Sequence, residues 1–185
     1  MILLAAAVLL GYLTDMALTE FDRLLYPTDF SEHVEKYAAQ YDLEPCIVYA
    51  MIKEMSNFTS NRVSQDGKIG LMQLSDETFL WLTQDHLGEN LNVGLLYDPA
   101  TNIKYGCYYL LYLTTRYESW DAVYAAYLYG TEAVDIRYGE WMAEPAQTKG
   151  EFRISNEEIQ KEINKIQRTV DKYQKLYHKK GDAVS

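Results

Sequence analysis

The sequence predicts a mainly α domain of the α+β kind, a set of packed helices with one small β-hairpin. Three observations predict it. Successive segments carry apolar residues at helical spacing, most of them opened by a capping residue or a proline. The helical period breaks once, around Asp66-Gly67. The chain has 185 residues, 48% of them apolar and 24% charged, enough for one core and too apolar for wholesale disorder.

The elements follow in order. The N-terminus is apolar from Ile2 to Leu13, is interrupted by Thr14 and Asp15, and resumes at Met16-Ala17-Leu18. An apolar run of that length falls short of the roughly 20 residues that a spanning helix needs. Residues 1–24 therefore read as a signal-like segment or signal anchor, and association with a membrane through this segment is expected. No Lys or Arg precedes the run, and no small-x-small cleavage site follows it. A core helix continuing to Leu25 is the alternative. Residues 25–180 make the folded domain. Ser31 is placed to cap a helix over SEHVEKYAAQYD, with Val34, Tyr37, Ala38 and Tyr41 on one face. Pro45 opens PCIVYAMIKEMSNF, which ends in the turn-prone Asn57-Phe58-Thr59-Ser60-Asn61. Residues 62–65 and 68–73 flank Asp66-Gly67, a dipeptide suited to a hairpin turn. Ser75 caps the next helix, and Asp98-Pro99 starts a long one, where proline at the first position loses nothing. A helix from Trp120 stops at Gly130, and Ser155-Asn156-Glu157-Glu158 forms a capping box for a helix reaching Tyr177.

Charge and composition remove some functions. Against 17 Lys and Arg stand 27 Asp and Glu, a net −10. Residues 151–185 hold 8 basic and 6 acidic side chains, so the first 150 carry −12 and offer no basic patch to a phosphate backbone. Nucleic acid is not an expected partner. Cys46 and Cys107 form no CxxC pair, and His33, His86 and His178 show no HxxxH or HExxH spacing, so a zinc site has no support. The two thiols read either as a disulfide or as two small buried hydrophobes.

Specific motifs go further. Ser56-Asn57-Phe58 is followed by Ser64, Gly67, Gly70-Leu71-Met72-Gln73 and Thr78. Then come Leu96-Tyr97-Asp98-Pro99, Thr101-Asn102-Ile103, Gly106 and Tyr109-Leu110, and later Ala125-Ala126-Tyr127 with Gly130. The last helix carries Glu158, Ile163, Tyr173, Leu176 and Tyr177. In order and interval this series resembles the lytic transglycosylases of the soluble, goose-lysozyme-like type, whose patterns read "ESxF", "S-x-x-G-x-x-GLMQ", "LYDPxTNIxxGxxYL", "AAYNxG" and "ETxxYV…YxxLY". The resemblance implies a lysozyme-like fold and a place in the bacterial cell envelope, outside the cytoplasm, membrane-anchored or secreted. It implies cleavage between N-acetylmuramic acid and N-acetylglucosamine in peptidoglycan by a single Glu, with no metal or cofactor taking part. That Glu protonates the leaving oxygen and then deprotonates the sugar's own 6-hydroxyl, giving a 1,6-anhydro product. Such an acid must stay protonated near neutral pH, which an apolar pocket promotes.

The pattern breaks at the acid itself. The position before Ser56 is Met55, and the Glu stands one residue earlier, at Glu54. One helical position is a rotation of about 100°, so Glu54 does not reach the same point; it reads as a solvated carboxylate beside Lys53. The family's Asn after "AAY" is Leu128, the Thr of "ET" is Ile159, the Tyr of that segment is Glu162, and the Pro after "GLMQ" is Asp76. Gln73, Met72, Tyr127, Glu158 and Ser64 match positions that the resemblance assigns to the glycan cleft. Met72 and Tyr127 also suit a core, Glu158 its own helix cap, and Ser64 the shape of the loop. Taken together, these residues predict a protein that binds peptidoglycan strands with catalysis impaired. The alternatives are an active transglycosylase using Glu54, and a protein-interaction scaffold of a cell-wall assembly.

Overall fold

In a computed structural model, residues 2–145 and 149–177 are described, with side chains from residue 9 onward. His178 and the last residues of the expected domain, 178–180, lie outside the described residues. Eight α-helices are present among the described residues: α1 (Ile2–Leu25), α2 (Ser31–Gln40), α3 (Pro45–Ser56), α4 (Asp76–Leu80), α5 (Pro99–Arg116), α6 (Trp120–Tyr129), α7 (Glu132–Met142) and α8 (Glu157–Tyr177). A π-helical turn, Trp81–His86, continues α4, and a 3-10 turn, Val93–Tyr97, leads into α5. The wider turn begins where the Thr83 hydroxyl donates back to the Phe79 carbonyl at 2.8 Å.

The core is built around α3. Every residue from Cys46 to Ile52 is buried, an all-round apolar pattern that suits a helix enclosed by others. It packs on α8 and α2, while α5 packs on α2 and α6, and α6 on α7 and α8. Cys46 and Cys107 are both buried and free. Burial pushes the Cys46 thiol up to about 12.

Three caps match the sequence expectation. The Ser75 hydroxyl accepts from the Thr78 amide at 3.1 Å. Asp98 accepts from the Thr101 amide at 2.8 Å and from its hydroxyl at 2.7 Å. Gly130, with φ +87, ends α6. Two caps differ by one residue. Phe30, at φ 61 and with no side-chain cap, precedes α2, so Ser31 is already helical. Before α8 it is Asn156, not Ser155, whose Oδ1 accepts from the amides of Glu158 and Ile159, so the capping box does not form. The hairpin is also corrected. Gly67 makes its turn at φ +82, and Ser64 and Lys68 are joined backbone to backbone at 2.9 Å. Pairing then stops at the isolated bridges Val63–Ile69 and Ile69–Leu74, and no strand forms among the described residues. The cause is the backbone at Gly70, φ +85, which turns the chain back so that Ile69 pairs with Leu74.

One buried side chain holds that returning loop. The Asn102 amide donates to the carbonyls of Ile69 and Leu96, both at 2.9 Å, and its oxygen accepts from the Met72 amide at 2.7 Å. Gly70 is required beneath it: a Cβ there would sit 2.1 Å from Asn102 Nδ2 and 2.6 Å from the Leu96 carbonyl. Met72 packs directly on Gly106, where a Cβ would lie 2.3 Å from its sulfur. The "GLMQ" and "TNI…G" motifs therefore dock on each other.

Helix α1 is not a core helix. Leu9, Leu10, Leu13, Leu18, Phe21 and Leu24 are exposed, and its C-terminal end meets α8 through Asp22 and Lys172 at 2.6 Å. No helix among the described residues is long and apolar enough to cross a membrane.

Two of these contacts have measurable consequences for stability. Asn102→Ala takes away the donor to the Leu96 carbonyl, the acceptor of the Met72 amide and one of the two donors to the Ile69 carbonyl, which keeps the Leu74 amide, and is expected to cost about 3 kcal/mol in urea unfolding. Asp98→Ala is expected to cost about 1 kcal/mol near neutral pH through loss of the cap. The Thr101 hydroxyl and amide hold the Asp98 carboxyl below its ordinary 3.8. Its contribution is therefore complete above pH 3.8 and is lost as pH falls through the lower folded value. The mutant and wild-type unfolding curves should converge in acid.

Candidate functional site

The motif resemblance sets the acid's position in the last turn of α3. The helix ends at Ser56, whose hydroxyl donates to the Ile52 carbonyl at 3.1 Å, and Asn57 and Phe58 follow in the left-handed region at φ 48 and 61. Met55 is half-buried against the core. Glu54 is not the solvated carboxylate expected beside Lys53, which instead donates to Asn57 at 2.6 Å. It turns toward α8 and is only 9% exposed. There Oε1 accepts from the Thr169 hydroxyl at 2.7 Å, and Oε2 pairs with Lys165 at 2.5 Å. Both partners lie more than 100 residues away in sequence. No local signal announces them.

The structure brings Met72, Gln73 and Tyr127 together. Tyr127 is 6% exposed, and its hydroxyl donates to the Met72 carbonyl at 2.9 Å. Burial pushes this hydroxyl well above its ordinary value, keeping it a donor. Gln73 holds φ 52, and its amide donates to the carbonyls of Gly70 at 2.7 Å and Arg62 at 3.1 Å. The buried amide thus finds its partners within its own loop. Met72 is fully buried. Ser64 closes the turn, donating to Asp66 at 2.5 Å and accepting from the Lys68 amide at 2.9 Å. From that turn Lys68 reaches across to the Leu128 carbonyl at 2.7 Å, placing a cation at the C-terminal end of α6. Glu158 is exposed on the first turn of α8. One turn on, Glu162 accepts from the Tyr129 hydroxyl at 2.6 Å, and burial followed by this bond pushes Tyr129 up to about 12.

Beyond the Tyr127 cluster a cavity of about 650 Å³ opens between α4, α5 and the α6–α7 junction. Trp81, Tyr109, Tyr112 and Tyr129 form its walls, and Glu77, Asp85 and Glu132 also line it. None of Glu54, Met55, Ser64, Met72, Gln73, Tyr127 or Glu158 is among its lining residues. It adjoins them through Tyr109, whose ring lies 5.1 Å from that of Tyr127. Sequence reasoning placed Tyr109 only within a motif and missed the other walls. The i, i+3 spacing of Tyr109 and Tyr112 was the available signal. No group of three His, Cys, Asp or Glu side chains is arranged to hold a metal among the described residues.

Comparison with known proteins bears on the fold. Solved structures of similar fold include an inactive mutant, glutamate to glutamine, of the lytic transglycosylase Slt from Pseudomonas aeruginosa, with TM-score 0.68 and 22% identity over 82% of this chain. The 70-kDa soluble lytic transglycosylase of Escherichia coli superposes with TM-score 0.65 and 18% identity over 81% of the chain. A complex of the 70-kDa soluble lytic transglycosylase with bulgecin A gives TM-score 0.70 and 21% identity over 81%. At these identities the likeness is one of fold, and it covers 25% of each of those longer chains. The family model described as "Transglycosylase SLT domain" matches residues 32–148, more than half of the chain. The protein therefore belongs to the transglycosylase SLT domain family.

Proposed function

We propose that this domain binds the glycan strands of peptidoglycan and is impaired in cleaving them. Family membership and the lysozyme-like fold support the substrate class, and the Pseudomonas aeruginosa relative is inactive as a glutamate-to-glutamine mutant. The observation that carries the impairment is the direction of Glu54. To reach a glycosidic oxygen it would have to abandon both Thr169 and Lys165, which hold it against α8. Met55, at the family's acid position, has a thioether that can neither give nor take a proton. Leu128 stands where the family places Asn, and Lys68 engages its carbonyl.

Substrate contact is assigned to Gln73, Met72, Tyr127, Ser64 and Glu158 on the strength of their motif positions. The exposed apolar residues of α1, among them Leu9, Leu10, Leu13, Leu18, Phe21 and Leu24, suit association with a membrane, with the domain facing outward in the cell envelope. Other proteins of a cell-wall assembly are candidate partners on the same reading.

The test is digestion of purified murein sacculi with mass spectrometry for anhydro-muropeptides. The wild-type domain is expected to be retained on sacculi and to release no anhydro product. Met55→Glu with Leu128→Asn is expected to gain activity toward the roughly 10²–10⁴-fold that a positioned acid–base group contributes. Anhydro products from the wild type that disappear in Glu54→Gln would overturn the reading and make Glu54 the acid. Failure of the wild type to be retained on sacculi would remove the binding half of the proposal.

A further inference from the structure

The cavity beside Tyr109 is built for a ligand of particular charge. Its walls are aromatic: Trp81 meets Tyr112 edge to face at 4.8 Å, and Tyr109 stacks on Tyr112 at 6.4 Å with the rings 10° apart. Its rim is acidic, with Glu77, Asp85 and Glu132 all exposed, and no Lys or Arg lines it. Inside it stands a hydroxyl without a partner. Tyr109 is only 8% exposed and lines the cavity, yet its hydroxyl makes no hydrogen bond among the described residues. Among the other buried tyrosines, Tyr105, Tyr117, Tyr127 and Tyr173 donate to a carboxylate or a backbone carbonyl, while Tyr124 makes no such bond among the described residues. The hydroxyl of this otherwise buried ring opens to the cavity, where it is free to pair with a ligand atom.

The three features select one chemistry. Aromatic faces take the C–H face of a saccharide ring and also attract a cation placed over them. A rim of carboxylates offers acceptors only, and an ammonium brings three donors and a charge, making bonds about twice as strong as neutral ones. An acetylated amine brings a single donor and no charge. Resting on the glycan-binding reading above, we infer that this cavity is a subsite for an unacetylated amino sugar. Its ring lies on Trp81 and Tyr112, its ammonium meets the rim of Glu77, Asp85 and Glu132, and one of its hydroxyls pairs with Tyr109.

The test is calorimetric titration of the full chain with a glucosamine tetramer and with its N-acetylated counterpart. The pH should be about 6, below the ordinary range of an amine. The free-amine tetramer is expected to bind at least tenfold more tightly. Glu77→Gln with Glu132→Gln, both exposed and so harmless to folding, should reduce that preference tenfold or more. Trp81→Ala, checked for folding by circular dichroism, should weaken both tetramers. Tetralysine is the control for charge alone. Tetralysine binding as tightly as the glucosamine tetramer, and indifferent to Trp81→Ala, would reduce the site to the domain's acidic field and overturn the inference. Equal or tighter binding of the acetylated tetramer would also overturn it. If the protein is retained on sacculi while neither tetramer binds, the inference falls and the glycan-binding reading stands. Loss of retention as well removes both.

Discussion

The structure depends most on the three hydrogen bonds of Asn102. A buried amide on α5 takes one amide and two carbonyls from the chain around it, and thereby closes the 62–74 loop against the first turn of the long helix. In a low-dielectric interior each such group is costly to leave unpaired, so the loop has one favourable seat. The rest follows from that seat. Gly70 must lack a Cβ because Asn102 fills the space, and Gly106 must lack one because Met72 does. With Met72 fixed, its carbonyl becomes the acceptor for Tyr127, which ties α6 to the same loop. Residues that look like a catalytic signature in sequence thus also form the hinge between loop, α5 and α6.

The consequence for function lies at the end of α3. Adjacent positions on that helix face different neighbours, and here the carboxylate has the neighbour that makes it structural. Glu54 joins α3 to α8 through Thr169 and Lys165, while Met55 lies at the margin of the core. Across the loop, Lys68 places its ammonium on the carbonyl of Leu128. On the proposed reading these contacts act in one direction: Glu54 is held against α8, Met55 offers no proton, and a lysine from the turn engages the backbone of Leu128.

Much of this was legible in the sequence, and the exceptions have physical reasons. Asp98-Pro99, Ser75 and Gly130 mark helix ends because capping is a local interaction, satisfied within three or four residues. Ser31 and Ser155 slipped by one position because Phe30 adopts a left-handed backbone without a side-chain cap and Asn156 outcompetes its neighbouring serine. Asp66-Gly67 correctly marked a turn, but Gly70 at φ +85 turns the chain back, and a long-range amide, Asn102, holds the returning loop in place. Helix α7 carries no cap, since Thr131 makes no side-chain cap bond, and its only buried apolar residue is Val134. The partners of Glu54 and the walls of the cavity come from elements far apart in sequence, and pattern reading has no access to such distances. The motif series identified the family, and the neighbours of Glu54 became visible only in three dimensions.

The central claim is that the cleft holds glycan while position 55 supplies no acid. One titration tests both halves: a murein oligosaccharide added to the domain carrying ¹³C-methyl methionine, with protein and sugar signals followed together by NMR. The Met55 methyl resonance is expected to move on addition while the saccharide's anomeric signals persist unchanged for hours. An unmoved Met55 methyl, or the emergence of 1,6-anhydro signals from the unmodified protein, would contradict it.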